Sequence, residues 1–157
     1  MDNSCRFNIV NKPQHVLLRR LVDLFDEWCP GDGDEPPEVE AVFSSGHSNR
    51  SFLIRHAGRR YVARFPEKAA AHLGVDRQVE RRVLDRAARI ALGPEVVYCN
   101  PARGTLVTAY IEGRPLRIEG LGAGDTIDRL AAALQLLHRQ KLDVPAVNIA
   151  DRIRSYA

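Results

Sequence analysis

Two alternating runs joined by a two-residue turn constrain this chain more than any other feature. SFLIRH (51–56) and RRYVARF (59–65) alternate in character, and Ala57 with Gly58 fills the gap between them. Period-two alternation places every second side chain on one face of a strand, and two residues are the commonest hairpin connection. A third run, VEAVF (39–43), precedes them across SSGHSNR (44–50), so three strands form a meander. The period then changes. Over 76–91, Val79, Val83, Ala87 and Ile90 recur at helical spacing, with Asp76 placed to cap the start and Gly93-Pro94 to stop the end. Two more strands, 95–99 and 105–111, flank the loop NPARG. Three antiparallel strands, a helix and two further strands predict an α+β fold, a five-stranded antiparallel sheet with one packed helix.

Both ends add helices. Residues 13–29 carry Leu17, Leu18, Leu21, Leu24, Phe25 and Trp28 at helical spacing, an amphipathic helix that must pack onto something larger. CPGDGDEPPE after it reads as a linker. Residues 126–140 place Ile127, Leu130, Leu134 and Leu137 on one face of a last helix. The expected segments are 1–37 for the N-terminal helix and linker, 38–113 for the sheet and its helix, and 114–157 for the exit from the sheet and the last helix.

Composition narrows the partners. At 157 residues, 45% apolar and 27% charged, the chain has the size and balance of one ordinary globular domain. No stretch approaches the roughly 18–20 apolar residues that span a bilayer, and the N-terminus does not read as a secretory signal. The net charge of +3, from 23 basic and 20 acidic residues, is no nucleic-acid footprint. Arg81, Arg82, Arg86 and Arg89 are interspersed with Glu80 and Asp85, as on a solvated helix face. Neither nucleic acid nor membrane is an expected partner. Cys5, Cys29 and Cys99 are odd in number and scattered, which reads as free thiols in a reducing cytoplasm and gives no metal site.

Anion chemistry concentrates in two places. SSGHSN brings Gly46 for close backbone approach, with Ser45, Ser48 and Asn49 as side-chain partners for a phosphate. Arg64, on the third strand, shares a face with Val62, opposite the face of Tyr61, Ala63 and Phe65. Glu80 on the following helix is placed to pair with Arg64 and hold its guanidinium ready for phosphate oxygens. A structural salt bridge with no ligand is the competing reading.

GHSNRSFLIRHAGRRYVARFP, VDRQVERRVL, LGPEVVYCNPARGTLVTAYIEGRPL and LAAALQLLH stand in that order over roughly 38–140. Together they resemble the choline/ethanolamine kinase and thiamine kinase-like branch of the aminoglycoside phosphotransferase superfamily. The resemblance implies a protein-kinase-like N-terminal lobe followed by the first helix of a C-terminal lobe. It makes Gly46 and its neighbours the phosphate-covering loop, Arg64 the third-strand cation and Glu80 its orienting partner. Val62 would roof the adenine. Residues 108–113, with Thr108, Tyr110 and Ile111, would be the hinge whose backbone reads the adenine edge. His138 matches the Leu-His that ends the first large-lobe helix.

One part of the family pattern is missing. No His is followed two residues later by Asp, and Glu119, Asp125, Asp128, Asp143 and Asp151 stand in no pattern that supplies a catalytic base or a magnesium ligand. The sequence therefore offers no catalytic and no metal residue, and alone should not be a competent kinase. Three explanations fit: a fragment of a longer enzyme, which is preferred, half of a split enzyme, or a free-standing module. The expected function is the nucleotide-binding lobe of an ATP-dependent phosphotransferase acting on a small alcohol, with Mg2+ joining only in a complete enzyme. The alternative is a non-catalytic nucleotide-binding or interaction module that self-associates through helix 126–140.

Overall fold

A computed structural model describes residues 19, 25–28, 37–43, 49–67, 75–113, 116, 120, 122, 124–145 and 154. The alternating runs form strands β1 (Glu38–Phe43), β2 (Asn49–His56) and β3 (Arg59–Pro66), and the later pair forms β4 (Val96–Asn100) and β5 (Thr105–Ala109). They build one five-stranded sheet in the order β1-β2-β3-β5-β4, antiparallel throughout. The helices are a single turn α1 (Phe25–Trp28), then α2 (Arg77–Arg89) and α3 (Thr126–His138). The chain divides into two compact units, Met1–Arg114 and Pro115–Ala157.

Local chemistry sets the boundaries. Ala57 and Gly58 both take positive φ, 47° and 74°, the left-handed pair that a tight two-residue hairpin uses. Asp76 caps α2, its carboxylate accepting from the N–H groups of Gln78 and Val79 at 2.9 and 3.0 Å. The other end differs from expectation. The left-handed residue that closes α2 is Ala91, at φ 55°, rather than a glycine. Leu92 N–H donates to the Ala87 carbonyl at 2.9 Å and Ala91 N–H to Ala88 at 3.1 Å, the double bond of a Schellman ending. β5 stops two residues before its expected end: Tyr110 N–H still donates to the Arg60 carbonyl of β3 at 3.0 Å, and Ile111 beyond it is 60% exposed.

The register gives the sheet two unlike faces. Phe52, Ile54, Tyr61, Ala63, Phe65 and Val107 share one face and are buried with Phe25 and Trp28 of α1. Burying each such large side chain contributes about 1.5–3 kcal/mol. Aromatic edges organise the cluster: Phe25 meets His56 at 4.8 Å, Trp28 meets Tyr61 at 5.4 Å and Phe52 meets Phe65 at 6.0 Å. Of the helix expected over 13–29, residues 13–18, 20–24 and 29 lie outside the described residues, and the described turn Phe25–Trp28 packs on the sheet. The opposite face carries Ser51, Leu53, Val62, Arg64, Leu106 and Thr108, all from paired positions of β2, β3 and β5. Helix α2 reaches this second face. Its apolar stripe is half-buried, and none of its residues is fully buried.

In the second unit, α3 spans thirteen of the residues expected over 126–140. Ile127, Leu130, Leu134 and Leu137 are exposed, and nothing among the described residues shows what covers them.

Candidate functional site

Antiparallel register puts Arg64 at the middle of the sheet, opposite Ser51 of β2 and Leu106 of β5. Alternation lifts its side chain off the aromatic core onto the second face. The capped first turn of α2 presents Glu80 there, and Arg64 Nη2 meets Glu80 Oε1 at 2.8 Å. The ion pair read from the sequence therefore forms.

A second cation completes it. Arg77, one turn before Glu80, donates from Nη1 to Glu80 Oε2 at 2.8 Å. Its other terminal nitrogen donates to the side-chain oxygen of Asn49 at 3.3 Å. One carboxylate thus holds two guanidiniums, one on each oxygen. The three side chains are only 22%, 24% and 17% exposed for Arg64, Glu80 and Arg77. Burial pushes the Glu80 carboxyl up, but the Arg77 hydrogen bond and the Arg64 charge outweigh it and hold the group below 4.5. Glu80 is therefore ionised at neutral pH, and the cluster keeps a surplus of one positive charge. Arg64 Nε is buried with no partner among the described residues. A shielded surplus cation with a spare donor is what an anionic group would complete.

Away from Arg64 along β3, the same face becomes apolar and then charged. Val62 lies between Leu53 and Thr108 in register. At the end of the strand, Arg60 joins Glu40 at 3.0 Å and Glu112 at 3.1 Å. Glu40 also meets Arg55 at 3.0 Å, and Arg55 pairs with Glu38. These ion pairs tie β1, β2, β3 and the segment after β5 together. From Arg60 to Arg64 the face runs about 13 Å at the rise of a strand.

The positions singled out in the sequence divide accordingly. Ser45, Gly46 and Ser48 lie outside the described residues. Asn49, Arg64 and Glu80 come together, linked by Arg77. Val62 and Thr108 lie on the same face, across one strand pair. Tyr110 and Ile111 stand at the far end. There Ala109 and Tyr110 N–H donate to the Glu95 and Arg60 carbonyls, at 2.9 and 3.0 Å. Ile111, Glu112 and Gly113 make no backbone bond to another described residue. Arg77 belongs to the Asp76-Arg77-x-x-Glu80 pattern within VDRQVERRVL, but sequence reasoning gave it no role of its own, and its contacts with Glu80 and Asn49 are what the structure adds. Its spacing of three from Glu80 on a helix is the available signal. Among the described residues, no three His, Cys, Asp or Glu side chains gather as a metal site, and no helix is long and apolar enough to cross a membrane.

Comparison with solved structures finds the same architecture. An ethanolamine kinase from Plasmodium vivax superposes with a TM-score of 0.63 at 15% identity, over 93% of this chain and 38% of that one. A choline kinase from Cryptosporidium parvum gives 0.59 at 19% identity, over 82% and 38%. A choline/ethanolamine kinase family protein from Mesorhizobium loti gives 0.60 at 24% identity, over 90% and 44%. The chain thus spans less than half the length of each, and at these identities the likeness is one of fold. No curated protein matches the sequence. The phosphotransferase enzyme family does match, over residues 40–154, covering β1 from its third residue onward, the whole Arg64–Glu80–Arg77 cluster and α3. This chain belongs to the phosphotransferase enzyme family.

Proposed function

We propose that the unit Met1–Arg114 is the nucleotide-binding lobe of an ATP-dependent phosphotransferase that acts on a small alcohol of the choline or ethanolamine kind. The observation that carries this is the surplus guanidinium of the half-buried Arg64–Glu80–Arg77 cluster on the second face of the sheet. Family membership supports the reaction class, and the names of the similar structures support the acceptor class.

In this reading Arg64 takes phosphate oxygens of ATP through the exposed part of its guanidinium. Glu80 fixes the direction of the guanidinium, so little reorganisation is needed as charge moves along the phosphates. Val62 and Leu53 offer an apolar roof to the base. The backbone from Ile111 onward, with its donors and acceptors unspent among the described residues, offers the polar edge. Ser45, Gly46, Ser48 and Asn49 keep their proposed place near the phosphates. The described residues supply no ligand set for Mg2+, so no step is assigned to a metal held by them. The acceptor and the groups that activate it are proposed to belong to a large lobe, and the natural setting to be the cytoplasm, where ATP is supplied.

Thermal denaturation of this chain with and without ATP tests the reading, followed by the fluorescence of Trp28, the only tryptophan. ATP raises the midpoint, because a ligand that binds only the folded state stabilises it by mass action. Arg64→Met, which leaves the Glu80–Arg77 bond in place, abolishes the rise. Equal ATP responses in the two proteins, or none in either at millimolar ATP, would refute it.

A further inference from the structure

The geometry points to Arg77 as a positioning residue that sets the direction of the Arg64 guanidinium. This rests on the nucleotide-lobe reading for its consequence, though not for its geometry. Arg77 bonds its own helix to the start of β2 and lies beside the turn between β4 and β5. Nη1 holds the Glu80 oxygen that Arg64 does not use, at 2.8 Å. Nη2 holds Asn49, the first residue of β2, at 3.3 Å. Its Nε lies 3.5 Å from where a Cβ on Gly104 would stand, in the turn between β4 and β5.

A carboxylate held on one oxygen can swing about its Cγ–Cδ bond. A carboxylate held on both cannot, so Arg77 fixes the plane of Glu80 and Glu80 then fixes Arg64. The link to Asn49 ties that plane to the start of β2, next in sequence to 44–48, where phosphate contacts are expected. Arg77 itself has two nitrogens committed to protein partners. It therefore acts through Glu80 and Asn49 rather than on the ligand. Lysine cannot replace it, because one ammonium lacks the planar fork that spans Glu80 and Asn49 together.

The test compares wild type, Arg77→Met, Arg77→Lys and Asn49→Ala in two measurements. The first is binding of ATP and of adenosine by each protein. In both Arg77 variants ATP affinity falls about tenfold, the scale of a lost charge-assisted contact. Adenosine affinity is unchanged, and Asn49→Ala shows a smaller loss of the same selectivity. The second is the titration of Glu80, read from its carboxyl carbon by NMR without nucleotide, and it moves to higher pH in Arg77→Met. ATP and adenosine weakening together would mark general loosening and overturn the inference, as would full rescue by Lys. An unmoved Glu80 titration would overturn it whatever the nucleotide does. If wild type binds neither ATP nor adenosine, the nucleotide reading and the role of Arg77 toward phosphate both fail, while the Glu80 titration still decides whether the clasp exists.

Discussion

Glu80→Gln isolates the charge at the centre of the cluster. The substitution keeps the shape of the side chain and one acceptor oxygen, but leaves Arg64 and Arg77 converging on a neutral group. An exposed ion pair contributes about 0–1 kcal/mol, while a buried charge stripped of its partner costs about 3–5 kcal/mol. Side chains only 17% to 24% exposed lie between these limits. The loss is therefore about 2 kcal/mol, which for a unit of roughly this size is a drop of about 8 °C in Tm. The pH dependence has a definite sign. The Glu80 carboxyl is held below its ordinary 4.5 in the folded state. A lowered folded-state value contributes stability that is fully present above 4.5 and lost as pH falls through the folded value. Urea unfolding read from Trp28 fluorescence should thus show a constant gap between wild type and Glu80→Gln from pH 7 to about 5, closing at lower pH. A variant within about 0.5 kcal/mol of wild type at pH 7, or a gap that persists unchanged on acidification, would refute the charge argument.

Two backbone substitutions should act with opposite signs. Gly104→Ala forces a side chain onto a residue at φ 66° and sets its Cβ 3.0 Å from Pro66 Cγ. It should destabilise the sheet by about 1–2 kcal/mol in the same unfolding assay. Ala91→Gly relieves a non-glycine residue at φ 55° in the ending of α2. It should stabilise by about 0.5–1 kcal/mol, and a loss of stability would mean that the methyl group contributes packing that outweighs the backbone gain.

The parts legible in the sequence were those with a repeating physical signal. Alternation at 51–56 and 59–65 fixed a hairpin, and the change to helical spacing with Asp76 at the start fixed α2. Arg64 and Glu80 could be paired because strand parity and helix spacing each limit where a side chain points. Signals that depend on tertiary partners were not legible. Nothing local says that Ala91 and not Gly93 takes the left-handed turn, since both follow the last helical residues. Nor could sequence alone show Tyr110 N–H committed to Arg60, because that bond depends on how far β5 runs beside β3. Arg77 looks like any helix-surface arginine until Asn49 and Gly104, 28 and 27 residues away, are brought beside it.

The core and the site constrain each other through register. Phe52 and Phe65 sit on the aromatic face and Ser51 and Arg64 on the other, in adjacent positions of the same two strands. A slip of one residue in β3 would carry Arg64 into the space filled by Phe65 and expose the phenylalanine. That exchange removes a large buried side chain and strands a guanidinium among aromatic rings, each costing several kcal/mol. The apolar cluster with Phe25 and Trp28 therefore does more than hold the sheet together. By making every other register expensive, it obliges Arg64 to face the first turn of α2, where Glu80 and Arg77 are held by the Asp76 cap. Variants that repack the aromatic face should disturb Arg64 only when they change the pairing of β3, and not when they merely loosen the core.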